Sequence, residues 1–248
     1  MLDLVLLTAG GFVAGILNAV AGGGTFITFP ILVFVGLDPI VANATATVSA
    51  LPGYAGGAWG FRRDIGAEGA LGVRGIVLLS LVGAAAGAAL LLLTPSRVFD
   101  GIVPWLLLLA TALFALGPRI LAALRQRGIG GAGIVTSAAV ILAVTTYGGY
   151  FNGGLGILLL AAFGLIGFTD LNRMNGLKLV LSSSMSIISA VIFAVAGLIA
   201  WPEGLLMAAA AAGGGWSGAK LSRRIRTDWL RAGITLVGLV LAALFFAT

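Results

Sequence analysis

Long apolar runs, separated by short charged or glycine- and proline-rich stretches, make up most of this chain. The apolar runs cover residues 2–21, 25–36, 40–60, 72–93, 98–118, 132–151, 153–168, 176–200, 203–219 and 229–247. An α-helix needs about 20 apolar residues to cross a bilayer. The pattern therefore predicts an all-α polytopic membrane protein, in which the runs 25–36 and 153–168 are too short to cross it.

Two glycine-rich breaks precede these short runs. The first extends from Gly22 to Thr25 and the second from Asn152 to Gly154. Lipid cannot hydrogen bond to the backbone groups that a break exposes, so a break must be buried in protein or line an aqueous cavity. Breaks at corresponding positions of two halves indicate a substrate site near the bilayer midplane. We therefore interpret each short run as the returning arm of a re-entrant helical hairpin, and the chain as a membrane transporter.

The composition favours a lipid environment, since 60% of the residues are hydrophobic and only 9% are charged. Soluble globular proteins carry about 25% charged residues. The sequence near Met1 has neither a basic stretch nor a small-residue cleavage site, so we expect the first apolar run to remain in the mature protein. The lipid bilayer is therefore an expected partner of the chain.

The chain contains no cysteine and no histidine. This excludes disulfides, thiolate metal sites, cysteine nucleophiles, the usual haem and zinc ligands and histidine-based triads. We therefore expect no metal site, no cofactor and no enzymatic activity. The net charge of +6 would suggest nucleic acid as the partner of a soluble protein, but membrane topology explains it here, so no nucleic-acid partner is expected.

Basic residues set the predicted orientation, because cytoplasmic loops of membrane proteins are enriched in Lys and Arg. If the first hairpin enters and leaves on the outside, the predicted cytoplasmic basic residues are Arg62, Arg63, Arg74, Arg119, Arg125, Arg127, Arg173, Lys178, Lys220, Arg223, Arg224, Arg226 and Arg231. Only Arg97 then lies outside. The pattern predicts a multi-pass protein of the bacterial inner membrane with its N-terminus and C-terminus both outside.

The same topology gives two inverted repeats, each with a re-entrant helical hairpin and three transmembrane helices, or about eight transmembrane segments in all. We place the first repeat at residues 1–128 and the second at 129–248, with the boundary in a basic linker. Glycines four residues apart support the correspondence, Gly83 and Gly87 matching Gly214 and Gly218, although this spacing is also typical of close helix packing. Asn18 before the first break is predicted to match Asn152 at the second.

The breaks favour an anionic substrate. Each returning arm begins at a break, so two helix N-termini are predicted to point into the membrane centre, where their free N–H groups attract anions. Thr25 and Asn152 are suitable N-cap residues, and capping is compatible with ligand contact.

Polar residues in the segments after each hairpin add to the predicted site. Ser and Thr there can equally join helices by hydrogen bonds. Lys178 can either extend to the cytoplasmic interface or offer its charge to an entering anion. The predicted substrate-binding residues are Asn18, Gly22, Gly23, Gly24, Thr25, Asn43, Thr45, Thr47, Asn152, Gly153, Gly154, Asn175, Lys178 and Ser182.

The stretch from Gly15 to Pro30, followed by Ala-Asn-Ala-Thr-Ala-Thr at 42–47, resembles the first repeat of the sulfite exporter TauE/SafE family. The second half agrees, since 150–156 and the Asn-Gly-Leu-Lys element at 175–178 look like the second glycine-rich segment and the Asn-x-x-Lys element of that family. The resemblance covers nearly the whole chain, although many members have a looser Gly-x-Gly-Gly run in the first break. It implies an exporter or permease of sulfite, organosulfonates such as sulfoacetate, or related small anions.

Two alternatives remain from the residues alone: a transporter of another small anion, and a non-transporting membrane scaffold or assembly subunit. All acidic residues lie at or near segment ends, which favours export driven by the membrane potential, worth about 2.3 kcal/mol per charge per 100 mV, over proton coupling. The sequence leaves open whether the protein is a carrier or a channel, and whether it forms a homo-oligomer.

Overall fold

The computed structural model describes residues 1–20, 23–63, 65–126 and 133–221, with positions 235, 236, 238–240, 242, 243 and 246 beyond them. All regular secondary structure in these ranges is helical. The helices are α1 (Leu2–Val20), α2 (Thr25–Phe34), α3 (Pro39–Gly60), α4 (Val73–Leu93), α5 (Ser96–Gln126), α6 (Ile134–Tyr150), α7 (Leu155–Leu165), α8 (Leu171–Val195) and α9 (Trp201–Leu221). The predicted all-α polytopic membrane fold is confirmed.

Helix lengths separate full spans from short arms. Stretches of α1, α4 and α8 are long and apolar enough to cross a membrane. By contrast, α2 has 10 residues and α7 has 11, so each is only about 15 Å long, half of the hydrocarbon thickness of about 30 Å. Both predicted breaks therefore lead into short returning helices. The last predicted segment, 229–247, falls mostly outside the described residues.

The two hairpins end in the same way. At the end of α2, Gly36 has a φ of 98° and the Leu37 amide bonds to the Leu32 carbonyl. At the end of α7, Gly167 has a φ of 106° and Phe168 repeats this bond to Phe163. This is a Schellman ending, which requires a left-handed residue that glycine supplies without strain. Matching local structure supports the repeat interpretation, while the boundary at 128/129 falls in 127–132, outside the described residues, and stays a prediction.

Each half packs the long arm of its hairpin against a helix of the other half. Gly11 and Gly15 of α1 face the backbone of Met207 and Ala211 in α9, so the two helices run parallel. In the same way α4 runs parallel to α6, with Gly83 against Thr145 and Gly87 against the backbone of Thr146, Gly149 and Tyr150. The glycines allow the helix backbones to approach closely. The matched glycine pairs thus occupy matched interfaces.

Helix α3 packs against α1 and α2 of its own half and against α8 and α9 of the other half. It runs antiparallel to α8, since Gly57 lies beside Leu179 and Gly176 lies beside Phe61. Aromatic contacts also join the halves near the breaks, where Phe29 and Phe151 form an edge-to-face pair with ring centroids 5.6 Å apart. The two breaks therefore meet around the middle of the molecule rather than at separate surfaces.

One end of the helix bundle carries a polar link between the halves. Glu68, in the α3–α4 connection, accepts hydrogen bonds from the Thr169 amide (2.6 Å) and hydroxyl (3.2 Å), and lies 3.7 Å from Arg173. The α3–α4 and α7–α8 connections are therefore on the same side of the bundle. The topology deduced from basic residues requires this arrangement, although which side is cytoplasmic stays a prediction.

Candidate functional site

The first break is held by Asn18. The Gly24 amide donates a 2.8 Å hydrogen bond to Asn18 Oδ1, which ties the start of α2 back to α1. A side chain on Gly24 would lie 2.5 Å from the Ala14 carbonyl, so only glycine fits this approach. Gly23 is buried beside it and its carbonyl accepts from the Phe26 amide at 3.2 Å. Gly22, also predicted to belong to the site, lies outside the described residues.

The second break follows the end of α6. Phe151 is extended, and Gly154 then adopts a left-handed conformation with a φ of 73° before α7 begins. The Tyr147 hydroxyl donates a 2.8 Å hydrogen bond to the Gly153 carbonyl, which stabilises the non-helical stretch. Gly154 packs against Ala110 of α5, where an added Cβ would lie 3.0 Å from the Ala110 Cβ. Backbone conformation and packing both require glycine there.

The prediction that Thr25 and Asn152 cap the short helices is wrong. The N-cap residues are Gly24 and Gly154, and neither makes a side-chain capping bond. Thr25 is already the first helical residue of α2, and Asn152 precedes the cap. The match of Asn18 to Asn152 is also wrong, because Asn18 lies within α1 whereas Asn152 lies beyond the end of α6. The side chains of Thr25 and Asn152 therefore do not cap the short helices.

Tyr54 of α3 was not among the residues predicted from the sequence, and it packs with Ala50 of its own helix and Leu179 of α8. The side chain is 3% exposed. A Pro-Gly-Tyr triplet inside an apolar segment was the available signal, since Gly53 next to it allows α3 to approach Asn18, whose Cβ lies 3.6 Å from the position that a Gly53 Cβ would take. Gly53 thus places this part of α3 beside Asn18 and the first break.

The three predicted polar residues of α3 have different surroundings. Asn43 Nδ2 donates a 2.9 Å hydrogen bond to the Tyr150 carbonyl at the end of α6 and therefore reaches the second break. Thr47 donates to the Asn43 carbonyl in its own helix. Thr45 Oγ1 accepts a 3.0 Å bond from the Ala200 amide in the α8–α9 connection. Of the three, only Asn43 bonds to a break.

Lys178 is buried inside the protein rather than at its surface. It is 4% exposed, and its Nζ donates a 3.0 Å hydrogen bond to Asn175 Oδ1, one turn earlier on α8. No carboxylate lies within 4 Å of it among the residues that the structure describes. Ser182, one turn further along, is buried as well. The ammonium group therefore does not extend to the interface, and its charge has no described counter-ion.

Several buried polar atoms near the breaks have no partner within the described ranges. They are Asn18 Nδ2, Thr28 Oγ1, Asn43 Oδ1 and Asn152 Oδ1. The orientation of Asn18 follows from its partner, because an amide N–H can donate only to the side-chain oxygen and so leaves the NH₂ group free. A buried polar group without a partner costs about 1–3 kcal/mol. A ligand that supplied partners would recover this free energy.

Most of the predicted site residues are buried in the described conformation. Asn18, Thr25, Asn43, Asn152, Lys178 and Ser182 are all buried, and only Asn175 is partly exposed. Polar groups that line an open aqueous path would be exposed. The described parts of the two breaks and α3 are therefore packed together.

Comparisons with known proteins agree with this architecture. The chain is 27% identical over 244 residues to a probable membrane transporter protein of Haemophilus influenzae, covering 97% of this chain and 93% of that protein. It is 26% identical over 212 residues to the probable membrane transporter protein ORF9 of Sinorhizobium sp, covering 82% and 77%. It is also 26% identical over 231 residues to the probable membrane transporter protein YfcA of Escherichia coli K12, covering 93% and 84%.

No solved structure matches the chain. The model of one protein family, described as Sulfite exporter TauE/SafE, matches residues 7–245 and so includes both breaks and both short helices. A match of this extent confirms the resemblance seen in the motifs. The chain is thus a membrane transporter protein, not an enzyme, and it belongs to the sulfite exporter TauE/SafE family.

Proposed function

We propose that this protein exports small sulfur-containing anions, sulfite or organosulfonates such as sulfoacetate, across the bacterial inner membrane. Its substrate site would lie where the two helix breaks meet α3. The family supports transport, and the residues at the breaks support an anion as the transported species. The sulfur-containing class follows the description of the family.

Buried Lys178 is the observation that carries the proposal. Transfer of an ammonium group out of water costs several kcal/mol unless an opposite charge or strong hydrogen bonds compensate. Asn175 supplies one hydrogen bond, and the described part of the chain supplies no carboxylate within 4 Å. An anion with one negative charge would complete this environment. A structural lysine in a scaffold subunit would have no reason to be placed there.

The breaks provide a second, neutral kind of anion contact. The first turn of α2 begins at the buried Thr25, and Asn18 Nδ2 is a buried donor without a described partner beside it. Helix N-termini and amide donors both bind oxyanions. The oxygen atoms of a sulfite or sulfonate group accept several hydrogen bonds at once, which suits a site of this composition.

The charges outside the site support export driven by voltage. Asp38 and Asp170 cap helices, Asp3 and Glu203 lie in first helical turns, Asp100 is exposed near the start of α5, and Glu68 lies in a connection. None of these carboxylates is in the middle of a span, where proton-coupled carriers place them. The interior-negative membrane potential would then drive an anion out of the cell. In the proposed orientation, both termini lie outside. Asp64 and Asp228 lie outside the described residues.

The test is anion flux in proteoliposomes with a clamped membrane potential. Sulfite, sulfoacetate, taurine, sulfate and acetate are compared in the wild type, in Lys178→Gln and in the matched control Arg62→Gln, which removes an exposed cation. We expect saturable flux of sulfite or sulfoacetate, reduced at least about 30-fold in Lys178→Gln, as for loss of one partner of a buried charge pair, and unchanged in Arg62→Gln.

Different outcomes contradict different parts of the proposal. Saturable flux of acetate or sulfate alone would replace the sulfur-containing anion with another small anion. No flux of any anion in the wild type would favour the scaffold alternative. A dependence of flux on a pH gradient at clamped voltage, removed by Asp170→Asn or Asp64→Asn, would replace voltage-driven export with proton coupling.

A further inference from the structure

One face of α8 is polar from its partly exposed beginning to the buried middle of the helix. Its residues follow one another at intervals of three or four and therefore lie in one row. They are Asn175, Lys178, Ser182, Ser186 and Ser189. Asn175 is partly exposed, whereas Lys178 and the three serines are at most 4% exposed. Ser186 and Ser189 were not among the predicted site residues. We call this row the polar face of α8.

The hydroxyls of the polar face differ from the other serine hydroxyls of the helix. Ser183 and Ser184 donate to backbone carbonyls one turn earlier, at 2.8 and 2.9 Å. In the described part of the chain, no hydrogen bond involves Ser182, Ser186 or Ser189. They therefore do not join α8 to a neighbouring described helix. A buried hydroxyl without a partner costs free energy, which a passing hydrogen-bond acceptor would recover.

The polar face lies along the seam between α3 and the second hairpin, formed by α6 and α7. One neighbouring side of α8, with Leu181 and Met185, packs against α4, α6 and α7. The side beyond the polar face, with Leu179, packs against Tyr54 of α3. At about 3.6 residues per turn, the polar face falls between these two sides.

Lys178 and the second break lie at different depths in the bundle. A Cβ on Gly148, near the end of α6, would lie 2.7 Å from Met185 Cε, so the break is close to the level of Met185. Seven residues, or about 10 Å of helix, separate Lys178 from Met185. The Lys178 ammonium group points further away, toward Asn175. Since a hydrogen bond is only about 3 Å long, an anion bound to Lys178 does not reach the break.

We propose that an anion leaving Lys178 moves along the polar face of α8 to the second break, with the hydroxyls of Ser182, Ser186 and Ser189 as neutral ligands on the way. The path rests on the proposed transport function and adds contact residues to it. It is closed in the described conformation and opens when one half moves against the other, as in inverted-repeat transporters. Neutral donors suit a path, because conduction requires binding weak enough for release.

Alanine substitutions test the contacts. Ser186→Ala and Ser189→Ala remove path hydroxyls, while Ser183→Ala and Ser184→Ala are matched controls on the same helix. We expect the maximal flux of sulfite or sulfoacetate in proteoliposomes to fall at least about tenfold in each path variant, as for loss of one hydrogen bond to a charged group. The controls should stay within a factor of about two. The unfolding temperature of the path variants in detergent should not fall, because no described hydrogen bond is lost.

Thiol labelling tests the path without any substrate. The chain has no cysteine, so one engineered thiol is followed without background. Ser186→Cys and Ser189→Cys place the thiol on the polar face. Ser184→Cys is the control, because position 184 lies on the side of the exposed Ile187 and Val191, which faces lipid. Each variant in proteoliposomes is treated with a sulfonatoethyl (anionic) or a trimethylammonioethyl (cationic) methanethiosulfonate reagent.

We expect the anionic reagent to modify positions 186 and 189 at least about tenfold faster than position 184. It should also react there at least about tenfold faster than the cationic reagent. A unit charge about 12 Å away, the rise from Lys178 to Ser186, has an effect of this size at an effective dielectric constant of about 20. Lys178→Gln should abolish the preference for the anionic reagent.

Three results would overturn the path. The first is labelling at positions 186 and 189 no faster than at position 184, and the second is unchanged flux in both Ser186→Ala and Ser189→Ala. The third is a flux loss that accompanies a lower unfolding temperature, which would make these serines packing residues.

The two proposals fail separately. If the wild type transports none of the anions, the proposed function fails, yet charge-selective labelling at positions 186 and 189 would still support a path for anions. If flux is saturable and depends on Lys178 but neither Ser186→Ala nor Ser189→Ala reduces it, the proposed function stands and the path along α8 is rejected.

Discussion

Helices α3 and α8 hold equivalent places in the two halves, yet they carry different chemistry. Each begins after an aspartate whose side chain caps the helix, Asp38 or Asp170. Each has an asparagine five residues later, Asn43 or Asn175. Eight residues after the cap, however, α3 has Ala46 whereas α8 has Lys178. The repeated positions build the frame of the transporter, and the divergent ones carry the charge.

The divergence extends further along both helices. Sixteen residues after the cap, α3 has Tyr54 and α8 has the buried Ser186. The two asparagines also differ in their partners, since Asn43 donates to the Tyr150 carbonyl whereas Asn175 accepts from Lys178. Thus α3 supplies neutral contacts to the breaks and α8 supplies the cation. Under the proposed function, one anion would then contact two chemically different surfaces.

Removing the charge that distinguishes α8 from α3 should produce the largest effect. Lys178→Met gives α8 an apolar side chain of similar length, so anion flux should fall at least about 30-fold. The midpoint of thermal unfolding in detergent should stay the same or rise, because an unpaired buried cation is removed. Flux and thermal unfolding are measured on the same preparations.

Ala46, the residue at the corresponding position of α3, should show the opposite result: a loss of stability without a change in KM. Ala46 is fully buried, so Ala46→Met overpacks its surroundings and should lower the free energy of unfolding by about 1–3 kcal/mol. KM for the anion should not change. Equal flux losses in Lys178→Met and Ala46→Met would show that packing rather than charge distinguishes the two helices.

The matched helix interfaces should differ in their tolerance of an added methyl group. In Gly214→Ala the new Cβ meets the Phe12 backbone carbonyl, whereas in Gly83→Ala it meets first the Thr145 side chain. We expect Gly214→Ala to lower stability by about 1–3 kcal/mol and Gly83→Ala to have a smaller effect that Thr145→Ala relieves. Thermal unfolding measures both.

Gly56 provides the control for these substitutions. It lies in α3 with open space around it, and Gly56→Ala should raise stability by about 0.5–1 kcal/mol, because alanine favours the helix. If Gly83→Ala proves as damaging as Gly214→Ala and Thr145→Ala does not relieve it, the two interfaces are equally rigid.

Two left-handed glycines should separate conformational strain from function. Gly154 and Gly197 have φ values of 73° and 71°, but only Gly154 lies at a break and packs against another helix. Alanine in this conformation costs about 1–2 kcal/mol. Both variants should therefore lower the unfolding temperature, with Gly154→Ala also reducing flux. A similar flux loss in Gly197→Ala would assign the effect to stability alone.

The smallest expected effects concern the links between halves at the bundle ends. Thr45→Val leaves the Ala200 amide without its acceptor and should lower stability by about 1 kcal/mol. Glu68→Gln weakens a more exposed link and should cost less, about 0.5 kcal/mol. Chemical denaturation of both variants tests this order, and the reverse order would identify Glu68 as the stronger link.

Hydropathy predicted the helices well because the requirement to bury backbone groups in lipid applies to each segment by itself. The short helices α2 and α7 and the glycine breaks before them are where the sequence placed them. The start of α8 was predicted at residue 176 but lies at Leu171, since Asp170 caps a polar first turn that hydropathy does not register.

Side-chain partners were harder to predict, since they depend on contacts between distant parts of the chain. Thr45 was assigned to the site with its neighbours, yet it bonds to Ala200 in the other half. Thr25 and Asn152 satisfied the residue preferences of N-caps, but glycines took that role because the backbone is too crowded or too left-handed for other residues.

The parallel pairing of α1 with α9 also governs how the protein is made. Of the described helices, α1 leaves the ribosome first and presents its glycine face, with Gly11 and Gly15, long before its partner exists. About 200 residues of synthesis separate the two helices, which takes about 10–40 s at about 5–20 residues per second. The first half therefore completes its helix packing only after a late part of the chain has been made. A polypeptide released before Trp201 is synthesised would enter the membrane without α9, the partner of α1.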